Sequence, residues 1–160
     1  MRRTVFIALI GLSPGCAMLK QLNSDRLCVE MVAFANATAI GESHSVVLVG
    51  GWGGETPEEL MTKTCTFSGY PPGDAFCRFL MPNSSWEMGI YNAKRAFACL
   101  DPKVEKDALR HLAQYEATVE VDSQHLNWLD PGVSVKVQFG PGPNPEHTSL
   151  TITARREMPN

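Results

Sequence analysis

The stretch VSVKVQFGPGPNPEHTSLTITA, from Val133 to Ala154, decides the fold. Its first residues alternate strictly between apolar and polar side chains, with the apolar positions at Val133, Val135, Val137 and Phe139. Because successive side chains of a strand point to opposite faces of the sheet, this pattern predicts a strand with one buried and one solvated face. Ser149 to Ala154 predicts a second strand, and the stiff loop Gly140–Pro145 would close a long hairpin between the two.

Four other segments have the composition of strands. Ser45 to Val49 is a short apolar run, and Tyr115 to Val121 alternates in part. Thr62 to Phe67 and Ala75 to Leu80 flank a dense turn signal, SGYPPGD. These last two segments are predicted to pair as a hairpin centred on Pro71.

Helical periodicity is clearest from Ser85 to Leu100, where apolar residues recur every three or four positions. Ser84 and Glu87 have the spacing of a capping box at the start of that helix. Asp25 to Ala37 also has an apolar face at helical spacing. A short helix is expected to begin at Thr56, with Pro57 at its first position, and another to run from Asp101 to about Ala113.

Strands and helices occur in blocks rather than in regular βαβ alternation. This organisation predicts an α+β fold, in which a mainly antiparallel sheet carries two or three helices on one face. The chain has 160 residues, of which 44% are hydrophobic, so we expect one globular domain over residues 25–158. The formal net charge of −3 argues against nucleic acid as a partner, because that affinity depends on clustered Lys and Arg.

The N-terminus has the three parts of a secretion signal. Met1–Arg3 is positively charged, Thr4–Leu12 is apolar but too short to span a bilayer, and Ser13–Gly15 breaks helices. Residues 1–15 are therefore predicted to be a signal peptide.

The segment LSPGC, which ends at Cys16, resembles a bacterial lipobox. Gly15 fits that pattern, whereas Ser13 and Pro14 depart from it. The resemblance implies a lipid on Cys16, a tether over residues 16–24 and a periplasmic domain anchored to the outer membrane, because no Asp follows the cysteine. Cleavage after Ala17, which would give a soluble periplasmic or secreted protein, is the alternative.

The chain contains five cysteines, an odd number for an exported protein. If Cys16 carries a lipid, an even set of four remains, and an oxidising compartment favours disulfides. Cys65 and Cys77 are equally distant from Pro71, so they would face each other in the predicted hairpin, which leaves Cys28 with Cys99. Other pairings and buried free thiols remain open.

No catalytic, metal or cofactor motif is evident. The loop GGWGG at Gly50–Gly54 lacks the spacing of a phosphate-binding loop and is interpreted as a turn at the end of a strand. There is no C-x-x-C, no histidine pair at metal-ligand spacing and no G-x-S-x-G. We therefore expect a protein that is not an enzyme and uses neither a metal nor a cofactor.

Three aromatic residues lie in or beside the predicted loops. These are Trp52, Tyr70 and Trp128. Aromatic side chains on a rigid, disulfide-bonded scaffold suit protein binding, because preorganisation lowers the entropy lost on association. Each is a candidate partner-binding residue, although each could instead pack its loop against the domain.

The leader, the tether and the small disulfide-containing domain together resemble periplasmic lipoproteins of Gram-negative bacteria. Among these the chain is similar to immunity proteins of type VI secretion, including those that block antibacterial lipases, over its leader and the region from Cys77 to Cys99. The resemblance implies that the partner is a secreted toxin enzyme. This protein would bind and block it at the periplasmic face of a membrane. A structural or assembly lipoprotein of an envelope complex is the alternative function.

Overall fold

The computed structural model describes residues 25–54, 56, 58–87, 89–101 and 117–158. The predicted signal peptide, Cys16 and the helix predicted to follow Asp101 lie outside these residues, so those expectations stay predictions. Within them the chain forms three helices and five strands. The helices are α1 (Arg26–Asn36), α2 (Pro71–Asn83) and α3 (Gly89–Leu100), and the strands are β1 (Ser43–Trp52), β2 (Met61–Thr66), β3 (Ala117–Asp122), β4 (Val133–Pro141) and β5 (His147–Arg156).

The five strands form one antiparallel sheet in the order β2-β1-β5-β4-β3. The predicted hairpin of β4 and β5 is present, and Val137 lies opposite Ile152 within it. The first strand pairs with the last, with Leu48 opposite Leu150. The strand predicted at Ser45–Val49 therefore lies inside the sheet, between β2 and β5, and it is longer than its apolar run.

All three helices cover one face of the sheet, as predicted. The inward residues of β4 and β5 alternate with half-exposed polar ones, which confirms the period-2 pattern of the sequence. The helices contribute the other half of the core, chiefly through their aromatic and leucine side chains. The largest fully buried side chains are Phe34, Phe76, Phe97, Leu27, Met31, Leu100, Ile152, Val46, Val133, Val135 and Val137.

Helix α1 begins where the sequence predicts. The Asp25 carboxylate accepts a hydrogen bond from the backbone N–H of Leu27 at 2.9 Å, which is the usual contact of an N-cap residue. The same carboxylate is held in a fork by Arg95 of α3, whose Nε and Nη2 lie 2.6 and 2.8 Å from its two oxygens. This pair joins the first helix to the third at the edge of the core.

Ala75 to Leu80, predicted to be a strand, belongs instead to helix α2. Pro71 and Pro72 occupy the first positions of that helix, where their fixed φ favours helical backbone and their missing N–H is not needed. A short apolar run fits a strand or a buried helix equally well, so the prolines are the deciding signal. The hairpin centred on Pro71 was thus a wrong prediction.

The helix predicted from Ser85 begins only at Gly89. Ser84 closes α2 rather than capping α3, because its hydroxyl donates to the Leu80 carbonyl at 2.6 Å. The predicted capping box of Ser84 and Glu87 is therefore wrong. Residues 84–87 belong to the short connection between the two helices.

The helix predicted to begin at Thr56 is also absent from the described residues 56 and 58–60, which form a bend and a turn. The reason is the pairing of Trp52 with Met61, which leaves only a short loop between β1 and β2. Gly50 and Gly51, interpreted as part of a loop, extend β1 up to Trp52. The glycine-rich turn begins only at Gly53, whose φ is +76°.

Two disulfides cross-link the fold, one between two helices and one between the sheet and a helix. Cys28–Cys99 connects α1 to α3 with a Cα–Cα distance of 5.2 Å, and Cys65–Cys77 connects β2 to α2 at 5.6 Å. This is the pairing that the sequence favoured, although Cys77 stands on a helix rather than on a strand. Over the described parts of the chain, every helix is too short or too polar to cross a bilayer.

Candidate interaction surface

The three predicted partner-binding aromatics do not lie together. Trp52 is at the end of β1, next to the start of β2. Tyr70 and Trp128 are at the opposite end of the sheet, where β1 begins and β5 ends. The three residues therefore cannot form one binding site.

Tyr70 is half-buried and has protein on both sides of its ring. The ring stacks on His44 with 3.6 Å between centroids and meets Phe34 edge-on at 6.0 Å. His44 is in turn held by Glu42, whose carboxylate lies 2.7 Å from its Nε2. Tyr70 directly precedes α2, so its contacts fix the entry into that helix.

Trp128 is half-buried and packs against the core. Its loop is held by the side chain of Asn36, which donates to the Trp128 carbonyl at 3.2 Å and accepts from the Asp130 backbone N–H at 2.9 Å. Arg156 adds a bond to the Asp130 carboxylate at 3.2 Å. These contacts give Trp128 a role in joining the β3–β4 connection to α1.

Trp52 differs from the other two because 49% of its surface is exposed. It lies opposite Met61, which is 48% exposed, and next to Leu60, which is 71% exposed and whose carbonyl accepts from the Gly53 N–H. The half-buried Trp86 meets Trp52 edge-on, with 5.0 Å between ring centroids. We call Trp52, Leu60, Met61 and Trp86 the hairpin-tip patch.

Glycine makes the contact between Trp52 and Trp86 possible. A Cβ on Gly50 would lie 3.1 Å from the Trp86 carbonyl oxygen and 3.3 Å from its Cα, so only glycine lets the two backbones approach this closely without adjustment. The connection that carries Trp86 is fixed by the buried Asn92. Its amide accepts from the Ser85 N–H at 2.9 Å and donates to the Ser85 carbonyl at 2.5 Å.

Lys63 holds the hairpin against the end of α2. Its ammonium group donates to the Met81 carbonyl, and to the Ser84 carbonyl at 2.8 Å. The last carbonyls of a helix lack partners within the helix and carry partial negative charge, so a cation is favoured there. Burial lowers the pKa of Lys63 below its usual value, because desolvation disfavours the charged form.

His147 fixes the patch from the β5 side. Its Nε2 lies 3.1 Å from the Trp52 carbonyl oxygen and 3.0 Å from that of Gly53. Since carbonyl oxygens only accept, this nitrogen carries the proton and donates to both. The end of β1 is therefore held by β2 and β5, and the connection at residues 84–87 lies against it.

The opposite end of the sheet carries an open cleft of about 340 Å³ between residues 121–125 and the start of β4. Its Asp122 accepts from His125 Nδ1 at 2.8 Å, and this bond lowers the pKa of the Asp122 carboxyl. Asp122 also accepts from the Gln124 N–H at 2.9 Å, so its contacts shape the turn after β3. In the described part of the chain, no group of three His, Cys, Asp or Glu side chains could hold a metal ion.

The sequence identified Trp52 but missed Leu60, Met61 and Trp86. Leu60 follows the predicted start of a short helix at Thr56, and Trp86 falls on the apolar stripe of the helix predicted from Ser85, so the sequence did not single out either as a surface residue. The available signal was the run from Gly50 to Gly54, because a hairpin through it would place Trp52 near Met61. With this geometry established, comparison with known protein families, with curated proteins and with solved structures finds no match for this chain.

Proposed function

We propose that this protein is a non-enzymatic, protein-binding domain of the bacterial envelope whose partner docks on the hairpin-tip patch. The observation that carries the proposal is the exposure of Trp52 and of Met61 opposite it, with the exposed Leu60 next to Met61 and with Trp86 against Trp52. Exposed apolar groups that are contiguous mark interaction sites more often than isolated ones. Trp is also the residue type most enriched among those that dominate binding energy.

The contacts that hold the patch in place support the same proposal. The Cys65–Cys77 disulfide, the Lys63 bonds and the Asn92 bonds tie the hairpin and the Trp86 connection to α2 and α3. A surface held in this way loses little conformational freedom on association, so more of the contact energy appears as affinity.

Export and lipidation belong to the same proposal. The disulfides are compatible with an oxidising compartment, and the leader with its lipobox-like Cys16 supports placement in the periplasm, attached to the outer membrane. A lipid on Cys16, followed by the tether to residue 24, would hold the binding domain close to the bilayer.

The role that we propose for this binding is neutralisation of a secreted antibacterial toxin. Its support is the resemblance of the leader and of the Cys77–Cys99 region to type VI immunity lipoproteins. An assembly role in an envelope complex would use the same patch, so the identity of the partner distinguishes the two roles.

The test is co-purification with a matched pair of variants. The full chain, with a C-terminal tag, is expressed in its own organism, extracted without reductant, and compared with Met61→Glu and Ile40→Glu. Both side chains are exposed, Met61 at 48% and Ile40 at 60%, so neither substitution buries a charge. Ile40 is in the turn before β1, at the opposite end of the sheet.

The expected result is one protein recovered in stoichiometric amount with the wild type and with Ile40→Glu, and at least about tenfold less with Met61→Glu. Equal recovery with Met61→Glu, or no stoichiometric protein, would overturn docking on the patch. A secreted hydrolase that is inactive in the complex supports toxin neutralisation. Subunits of an envelope complex would contradict that role and support assembly.

A further inference from the structure

Three glutamates stand beside residues of the hairpin-tip patch, in the sequence or in backbone contact with β1. Glu58 is two residues before Leu60, Glu87 follows Trp86, and the Glu146 backbone packs against Gly51 next to Trp52. All three glutamates are exposed. We call Glu58, Glu87 and Glu146 the acidic rim.

Among the described residues next to the patch, the negative charges are not matched by positive ones. Lys63 is the one Lys or Arg among the described residues 50–54, 56, 58–63, 84–87 and 139–149. Its ammonium group is already engaged by the Met81 and Ser84 carbonyls at the end of α2. The patch therefore combines an apolar centre with a negatively charged rim.

This charge pattern discriminates between partners. A second copy of the chain, docked patch to patch, would bring two acidic rims together, and like charges across an interface oppose association. A partner with Arg or Lys around an apolar centre would meet opposite charges at the rim. The exposed half of Trp52 would also accept a guanidinium or ammonium group over its ring.

We infer that the partner of this domain presents a basic surface, with Arg or Lys side chains that contact the acidic rim and Trp52. The inference rests on the proposed function, since it names the chemistry of the partner that docks on the hairpin-tip patch. Such pairs at the rim of an interface raise the association rate and weaken as salt is added.

The test uses three short fluorescent peptides as probes. One alternates Arg with Leu, and in the other two Gln or Glu replaces every Arg. Each is titrated with the full chain, in about 20 mM and about 300 mM salt, where the Debye length shortens by about fourfold. The rim variant is Glu58→Gln with Glu87→Gln and Glu146→Gln. The control, Glu42→Gln with Asp122→Asn and Glu157→Gln, removes the same charge at the opposite end.

The Arg peptide is expected to bind about tenfold or more tightly than the Gln peptide in low salt, and the Glu peptide to bind weakest. The rim variant and high salt should each remove that preference, whereas the control variant should keep it. Equal binding of the three peptides, no binding of the Arg peptide, or a preference that survives in the rim variant would overturn the inference.

The proposed function fails by a different result. If Met61→Glu leaves the co-purified partner bound, the docking surface itself is wrong. If Met61→Glu releases the partner while the rim variant binds it at the wild-type rate in both salts, the docking surface stands and the basic partner is excluded.

Discussion

At the end of the sheet where β1 begins, Tyr70 stacks on His44 and Trp128 packs against the core, whereas at the end where β1 finishes, Trp52 leaves half of its surface exposed. All three aromatics lie in or beside loops, so loop position does not separate them. Their partners do, because Tyr70 contacts His44 and Phe34 and Trp128 packs against the core, whereas Trp52 meets the half-buried Trp86 in a T-shaped pair. One end of the sheet thus packs its aromatic side chains against the fold, whereas the other leaves one exposed, and it is this exposed end that we propose as the docking site.

The largest expected effects come from removing the two disulfides one at a time. Cys28–Cys99 spans 71 residues and Cys65–Cys77 spans 12. Loop entropy alone predicts that replacing both cysteines by Ala lowers the free energy of unfolding by about 4 kcal/mol for the first pair and about 3 kcal/mol for the second. Urea unfolding of the two double variants measures both values.

Only the loss of Cys65–Cys77 should also weaken partner binding, because that bridge ties the strand of Met61 to α2. If Cys28→Ala with Cys99→Ala weakens binding equally under conditions where the domain is folded, the Cys65–Cys77 bridge has no special role in holding the patch.

Replacing Trp128 should lower stability and keep partner affinity, whereas replacing Trp52 should do the reverse. Trp128→Ala removes half-buried core contacts and should lower the free energy of unfolding by about 2 kcal/mol, while partner affinity is kept. Trp52→Ala should change stability by less than about 1 kcal/mol and weaken partner binding by about 2 kcal/mol, or about thirtyfold. Chemical denaturation and titration with the co-purified partner measure the two quantities, and a binding loss for Trp128→Ala alone would reverse the comparison.

Asp25 provides a test by pH. Its hydrogen bond from Arg95 holds the pKa of the carboxyl below its ordinary value of 3.8. The stability from the ionised carboxylate is therefore present above pH 3.8 and is lost as the pH falls through the lowered folded-state pKa.

Asp25→Asn should lower the free energy of unfolding by about 1–2 kcal/mol at neutral pH, with a difference that shrinks as the wild type is acidified below pH 3.8. Denaturation at several pH values measures this. Glu30→Gln, which breaks a surface pair with Arg26, is the control and should change stability by less than about 0.5 kcal/mol. A pH-independent difference for Asp25→Asn would contradict the role of the ionised carboxylate.

Tyr70 provides the smallest effect. Its hydroxyl is buried and, among the described residues, has no hydrogen-bond partner. Tyr70→Phe keeps the ring on His44 and should leave the free energy of unfolding within about 0.5 kcal/mol of the wild type. A loss well above that value would show that the hydroxyl has a partner, and partner binding should not change in either case.

Much of the fold follows from local signals in the sequence. The alternation in β4 and β5 and the apolar face of α1 predict those elements because each buries one side on the same core. The Ala75–Leu80 segment was predicted wrongly because six apolar-rich residues do not distinguish a strand from a helix. The pairing of Cys65 with Cys77 survived that error because a helix that returns alongside β2 also brings the two cysteines together.

The candidate surface was less predictable, because exposure is a property of register and packing. Trp86 has the spacing of a buried helical residue. Asn92, however, holds Ser85 in the connection before α3, and that helix begins only at Gly89. Leu60 and Met61 become a patch only through the pairing of Met61 with Trp52. These are contacts between distant segments, which composition and periodicity do not record.

The most direct test of docking at the hairpin tip is hydrogen–deuterium exchange of the full chain, with and without the co-purified partner. Docking there predicts slower exchange on binding in residues 50–62 and 84–87, and unchanged exchange in residues 121–134 at the other end of the sheet. Slower exchange in residues 121–134, with residues 50–62 unchanged, would contradict it and assign the partner to the end that carries Trp128.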